Sequence, residues 1–283
     1  MRAAGELLDE AVARLRDSDS PRLDAEVLLA HVLGKSRAWL LAWPDRGVDA
    51  EAVARFADLI TRRAEGRPVA YLTGRREFWS LDLAVDDTTL IPRPETELLV
   101  ERALAWIPSA EQRLVADLGT GSGAVALAVA SERPAGFVLA TDVHFHTLER
   151  ARHNATRLAL HNVAFLCGDW LAPFAPRSLD LVISNPPYVA DADPHLAQGD
   201  VRFEPRRALA AGGEGLDAIR IIARTADSVL KPGGHVLLEH GYDQAETVRA
   251  LLRGAGFTDI ATFSDLAGRP RVTEARLDAA ARR

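Results

Sequence analysis

The sequence predicts an α/β chain: a doubly wound, mostly parallel seven-stranded sheet, preceded by a small N-terminal helical bundle and a connecting β-hairpin. Three observations predict it. From Arg113 onward, short apolar runs alternate with longer amphipathic ones, the pattern of strands joined by covering helices. Residues 1–72 carry apolar side chains at helical spacing only. Between the two, Arg76 to Ile91 switches to an alternating period. The expected division is a helical domain over 1–72, a hairpin linker over 73–93 and a sheet domain over 94–283.

In the helical part, Leu7, Leu8, Ala11, Val12 and Leu15 share one face. Asp19-Ser20-Pro21 interrupts them, with Ser20 placed as an N-cap and Pro21 in the first turn of the next helix. That helix carries Ala25, Val27, Leu28, Leu29, Val32 and Leu33 and stops at Gly34. Ser36 starts a short third helix ending near Pro44. Val53, Phe56, Leu59 and Ile60 define a fourth, which Gly66 stops. No catalytic cluster is visible here, and burial of apolar faces accounts for the pattern; partner binding is the second reading.

Phe78, Leu81, Leu83 and Val85 alternate with polar residues, as in a hairpin. Ile91-Pro92-Arg93-Pro94-Glu95-Thr96-Glu97 follows, held extended by its prolines. Thr96 or Glu95 is expected to cap the helix Glu97–Trp106. The strands are expected at Leu114–Leu118, Phe137–Thr141, Ala164–Cys167, Leu179–Ser184, His235–Glu239, Asp259–Phe263 and Val272–Leu277. Helices are expected at Ala124–Glu132, Thr147–Leu160, Leu216–Leu230 and Ala245–Gly254. The last two strands lack room for a helix between them and should pair antiparallel.

Composition narrows the function classes. A net charge of −6 disfavours non-specific attraction to nucleic acid or anionic lipid. The single cysteine, Cys167, cannot form an intrachain disulfide, and no Cys/His spacing suggests zinc. Without a signal-like apolar core near Met1 or a run of membrane-spanning length, a cytoplasmic location is the expectation.

Four loops carry the chemistry, each following a predicted parallel strand, where open α/β sheets bind ligands. The first is Asp117-Leu118-Gly119-Thr120-Gly121-Ser122-Gly123. Its glycines allow close backbone approach. The spacing is neither that of the dinucleotide fingerprint nor, lacking a lysine, that of a phosphate-binding loop. A tight strand–helix turn is the bland reading. Asp142, ending the second strand, changes it, because a carboxylate there can accept both hydroxyls of an adenosine ribose. After the third strand, Asp169 can accept from an adenine amino group and Trp170 can cover the ring; an ordinary core tryptophan is the alternative.

After the fourth strand comes Asn185-Pro186-Pro187-Tyr188. Two prolines stiffen this turn and remove two backbone donors. Alone it reads as a proline bend with a local asparagine cap. Beside an adenosine site it reads as a rigid set of acceptors, the Asn185 amide oxygen and the Pro186 carbonyl, with Tyr188 placed to stack on a planar guest. The loop from Ala190 to Gly215 is long, and either recognises a substrate or is a solvated insertion.

Together the glycine loop, Asp142 and the Asn-Pro-Pro-Tyr turn resemble the class I S-adenosylmethionine-dependent methyltransferases, a Rossmann-like fold. Ile91 to Glu97, Arg202-Phe203-Glu204-Pro205 with Ala208-Leu209, Leu238-Glu239-His240-Gly241 and Arg271-Val272-Thr273 resemble the peptide chain release factor glutamine methyltransferase family. That resemblance implies methylation of the glutamine amide nitrogen (N5) in the Gly-Gly-Gln motif of release factors, with S-adenosylhomocysteine as coproduct. It implies Asn185, Pro186 and Tyr188 as catalytic residues and Asn185 to Tyr188 as the substrate site. It implies Asp117, Gly119, Thr120, Gly121, Ser122, Gly123, Asp142, Asp169, Trp170 and Asn185 around the cofactor, and no metal. Release factors are the implied partners, with neither direct nucleic-acid binding nor a membrane expected. Leu171 replaces a frequent Phe, and His144 is unusual beside the ribose carboxylate. The competing readings are a ribosomal-protein glutamine methyltransferase, an adenine amino methyltransferase acting on nucleic acid, and a non-catalytic cofactor-binding protein.

Overall fold

The computed structural model describes residues 1–278. It divides into two compact units, one of residues 1–75 with 197–203, the other of residues 76–196 with the described residues from 204 onward. The first unit is helical: α1 (Ala4–Arg14), α2 (Pro21–Leu33), α3 (Arg37–Ala42), α4 (Ala50–Ala64) and α5 (Val69–Thr73). Their apolar stripes meet in one core around Leu8, Leu28, Leu29, Phe56 and Ile60. Two short strands, β1 (Arg2–Ala3) and β2 (Gly47–Val48), pair antiparallel; nothing in the local pattern announces them. Gly34 ends α2 in the left-handed region, as expected. Ser20 does precede α2 but makes no side-chain cap; its hydroxyl bonds Asp24 instead, at 3.0 Å. The stop signals are met, while the cap is redirected by a carboxylate that also binds Arg63 at 2.7 Å.

A piece of the long loop, Ala197–Phe203, belongs to this helical unit. Arg63 donates to Asp200 Oδ1 at 2.6 Å, and Arg202 donates to the Glu65 carbonyl at 2.6 Å. The loop expected over 190–215 carries short turns of its own. It holds three 3₁₀ turns, at Pro194–Ala197, Asp200–Phe203 and Arg206–Ala208.

The second unit opens with the hairpin β3 (Arg75–Phe78) and β4 (Leu81–Ala84). Its two central turn residues, Trp79 and Ser80, both have positive φ, 51° and 58°. Glycine or asparagine usually occupies such positions. Here the Trp79 amide is held by Glu97 at 3.0 Å and its indole by Glu132 at 2.9 Å.

Then follow α6 (Glu97–Ala105), β5 (Leu114–Leu118), α7 (Ala124–Glu132), β6 (Phe137–Asp142), α8 (Phe145–Arg157), β7 (Val163–Cys167), β8 (Leu179–Ser184), α9 (Asp217–Val229), β9 (Leu230–Glu239), α10 (Ala245–Gly254), β10 (Phe257–Ser264) and β11 (Pro270–Leu277). The sheet order is β10-β11-β9-β8-β5-β6-β7, with β10 and β11 antiparallel. The predicted doubly wound, seven-stranded sheet is present. Period-two alternation sends Val115, Leu181, Ile183 and Leu237 into one core, and Ala116, Leu118, Val182 and Leu238 into the other. Burial on both faces is why these strands read as near-continuous apolar runs.

One expectation fails informatively. Thr96 precedes α6 but makes no side-chain cap; it lies in a 3₁₀ turn, Pro94–Thr96, with helical φ and ψ. It is 3% exposed, and its hydroxyl oxygen accepts from Asn185 instead.

Candidate active site

β5 sits between β6 and β8, so the chain reverses its direction of winding there. Leu118 pairs with Thr141 on one side and Ser184 on the other, which sets the carboxyl ends level. The four predicted loops thus emerge at one edge, at the switch point where such sheets bind ligands.

The glycine loop divides into a lining and a brace. Gly119, Gly121 and Gly123 all have positive φ. A Cβ on Gly119 would stand 3.6 Å from the Trp170 ring, so that glycine lets the ring and the backbone approach. Gly119 and Gly121 line a cleft together with Asp142, Asp169, Trp170, Asn185 and Pro187. Asp117, Thr120, Ser122 and Gly123 do not line it. Asp117 Oδ2 accepts from Thr120 Oγ1 at 2.6 Å and from the Ala126 amide at 3.2 Å. Burial pushes its carboxyl up to about 7, against those two bonds. It shapes the loop from behind.

Asp142 has each carboxylate oxygen half engaged: Oδ2 accepts from the Gly121 amide at 3.3 Å, Oδ1 from the His144 amide at 2.9 Å. A carboxylate has about four acceptor positions, so the pair is oriented with capacity left for two hydroxyls. Trp170 lines the cleft on one side and packs against one core on the other. Asp169 is exposed at the rim. A Cβ-free backbone against a flat ring and a paired-acceptor carboxylate at a neighbouring strand end fit the adenosine half of S-adenosylmethionine. Thr88, Leu90, His144, Thr147 and Arg207 also line the cleft. His144 follows directly on the end of β6, beside Asp142; local patterns do not reveal the other four, which come from the segment before α6, from α8 and from the loop after the Asn-Pro-Pro-Tyr turn. The Arg207 guanidinium is tied to the Thr88 carbonyl at 3.1 Å.

The Asn-Pro-Pro-Tyr turn meets the cleft through Asn185 and Pro187, whereas Pro186 is buried. Asn185 Nδ2 donates to Thr96 Oγ1 at 3.2 Å, which turns the amide oxygen to the opposite side. Tyr188 packs against the core, and its hydroxyl donates to Glu239 Oε1 at 3.3 Å. Burial raises its pKa far above the usual phenol range. Gln244 Nε2 holds the Tyr188 carbonyl at 3.0 Å. At Gly215 a Cβ would lie 2.2 Å from that same carbonyl oxygen, and φ is +68°, so the returning loop passes where only glycine fits.

Two motifs that local patterns left without a physical role meet here. Glu204 is 6% exposed; its carboxylate pairs with Arg93 and accepts from the Ile91 amide at 3.0 Å. The proline-stiffened segment before α6 is thereby clamped to the loop that follows the turn, and Thr96 is delivered to Asn185.

A doubly wound sheet with this glycine loop, acidic strand end and amide-bearing turn defines a class I S-adenosylmethionine-dependent methyltransferase. Residues 6–74 match the PrmC N-terminal domain family and residues 94–216 the methyltransferase small domain family. A release factor glutamine methyltransferase of Xylella fastidiosa is 53% identical over 255 residues, spanning 90% of this chain and 93% of its own length. That of Escherichia coli K12 is 46% identical over 269 residues, spanning 95% and 97%. A methyltransferase crystal structure from Pyrococcus furiosus shares the fold, with a TM-score of 0.54 over 78% of this chain and 99% of that one at 16% identity. The chain belongs to the release factor glutamine methyltransferase family.

Proposed function

We propose that this chain transfers a methyl group from S-adenosylmethionine to the side-chain amide nitrogen (N5) of the glutamine in the Gly-Gly-Gln motif of peptide chain release factors. The observation that carries the reading is Asn185. Its amide sits at the edge of the donor cleft, oriented by Thr96, in a turn that prolines and Gln244 hold rigid.

The bound donor supplies a methyl group already activated by its sulfonium. The acceptor is the difficulty, since an amide nitrogen's lone pair is delocalised into its carbonyl. As that nitrogen attacks, its N–H bonds polarise, and acceptors aimed at them stabilise the transition state more than the ground state. Asn185 Oδ1 and the Pro186 carbonyl supply those acceptors. Tyr188, expected to stack on the guest, does not line the cleft; its ring packs into the core behind the turn and its hydroxyl is anchored on Glu239. Asp142 fixes the ribose, Trp170 and Asp169 the adenine, and the backbone at Gly119 and Gly121 admits the donor. Proton loss follows transfer, so no charged base is needed at the nitrogen.

The helical unit supplies recognition of the protein substrate. No helix among the described residues is long and apolar enough to cross a membrane. A release-factor substrate places the reaction in the cytoplasm, where translation terminates.

The test is methyl transfer from labelled S-adenosylmethionine to a purified release factor and to the same factor with its Gly-Gly-Gln glutamine changed to alanine. Label on the first alone supports the reading; equal label on both rejects it. Exchanging the helical unit for that of a ribosomal-protein glutamine methyltransferase should change protein-substrate affinity and leave donor affinity as it was.

A further inference from the structure

The prolines confine the Asn-Pro-Pro-Tyr turn without locking it. Each ring fixes its own φ and limits ψ of the residue before it to an extended range of roughly 120° to 160°. Neither proline has an amide proton whose hydrogen bond could narrow that range. The course of the turn is therefore set by what grips its two ends. The upstream end is the end of β8, where Ser184 Oγ donates to the Leu118 carbonyl at 2.8 Å. The downstream end is the Tyr188–Val189 peptide, which is held on both sides. The Val189 amide donates to the Leu209 carbonyl at 2.8 Å, and the Tyr188 carbonyl accepts from Gln244 Nε2 at 3.0 Å.

Gln244 precedes α10 and is half-buried. Its Nε2 also donates to the Glu214 carbonyl at 3.3 Å and to that of Gly215 at 3.4 Å, and its Oε1 accepts from the Gly241 amide at 2.9 Å. Three carbonyl oxygens around one nitrogen require a group that only donates, and the Gly241 amide requires an acceptor beside it. A primary amide meets both requirements, and they fix which way round it sits. Gly215 permits the convergence, since a side chain there would strike the Tyr188 carbonyl.

We propose that Gln244 is a positioning residue for methyl transfer: it fixes the Tyr188–Val189 peptide and thereby the aim of Asn185 Oδ1 and the Pro186 carbonyl, on the reading that these two oxygens face the reacting amide. Gln244 does not line the donor cleft, so it acts through the turn. Without it the Tyr188 carbonyl loses its tether, and the turn regains the ψ freedom that the rings leave. Displacing a reacting group by about 1 Å can cost on the order of 100-fold in rate. The donor half keeps its own frame, in the Thr120–Thr141 bond and the Asp142 carboxylate. Loss of Gln244 therefore lowers the rate of transfer and leaves donor binding as it was.

The experiment compares wild type, Gln244→Met, Gln244→Glu and Asn185→Ala in full-length protein, with S-adenosylmethionine and a purified release factor. Methionine keeps the length of Gln244 and removes both polar atoms. Glutamate keeps the size and the acceptor for Gly241 but turns a carboxylate toward three carbonyls. Expected is a kcat loss of roughly 10-fold in Gln244→Met and more, toward about 100-fold, in Gln244→Glu. Donor Kd by calorimetry and KM for the release factor should stay within about 2-fold, the pattern of an interaction that matters only in the transition state. A merely structural glutamine gives another pattern. Donor-binding stoichiometry and total turnover then fall together, while kcat per donor-bound molecule stays normal; that outcome overturns the proposal. Asn185→Ala separates the two levels. Full turnover in that variant rejects the amide site itself. Loss of turnover there, with normal kcat in both Gln244 variants, rejects the positioning role alone.

Discussion

The donor half and the acceptor half of the site are built in different ways. In the donor half, support is local to adjacent strands. The Thr120 amide bonds the Thr141 carbonyl at 2.8 Å, and Asp142 binds the amides of Gly121 and His144. In the acceptor half, support comes from far along the chain. Asn185 leans on Thr96, separated by 89 residues, and Tyr188 on Glu239, separated by 51. A local frame is specified by the strands that form it. A distant frame must be delivered, here by the Glu204 clamp on Ile91 and Arg93 and by the end of β9. Donor binding and amide orientation should therefore be separable by mutation.

The largest expected effect breaks the acceptor half alone. Asn185→Ala should lower kcat by about 10²- to 10³-fold, the scale for removing one preorganised transition-state group. Calorimetry should find the donor Kd within about 2-fold of wild type. A large loss of donor affinity would join the halves that the geometry separates. Asp142→Ala is the converse. It removes two charge-assisted acceptors, so donor affinity should fall by roughly 10- to 100-fold while kcat at saturating donor stays within a few-fold. Steady-state kinetics at varied donor concentration checks this.

A third test reads stability rather than rate. Glu239 ordinarily titrates at 4.5 and is pushed up to about 7 in the folded chain. Between those values the folded state holds the extra proton, so stability falls as pH rises. Denaturant unfolding of wild type and Glu239→Gln at pH 5 and pH 8 should show wild type losing about 3 kcal/mol relative to the variant on going to pH 8. Asp117 titrates similarly in both proteins and cancels. An unchanged difference between the two pH values would remove the buried charge from the account. The smallest effect is expected at Gly215→Ala, where both the Tyr188 carbonyl and the positive φ resist a side chain. A loss of about 1–3 kcal/mol of stability is expected, measured by the shift in unfolding midpoint.

The same contrast explains what can be read in the chain before it is folded. The sheet is legible because both its faces are buried and its strands are short apolar runs between helical ones. The glycine loop and Asp142 are legible because their meaning depends on position after a strand. Thr96 is not legible as a site residue, because threonine before a helix ordinarily reads as a cap. Its hydroxyl meets Asn185, 89 residues further on, which no window around it contains. Glu239 reads as the end of an apolar strand for the same reason. Ala197–Phe203 joins the helical unit through Arg63–Asp200, a pairing across 137 residues that local patterns do not encode.

The most direct test of the account is to react wild type and Asn185→Ala with a release factor and S-adenosylmethionine, map the modified residue by mass spectrometry, and titrate each protein with donor. The account predicts a single methyl group on the Gly-Gly-Gln glutamine with wild type, none with the variant over the same time, and equal donor affinity. Methylation at another residue, or full methylation by Asn185→Ala, would contradict it.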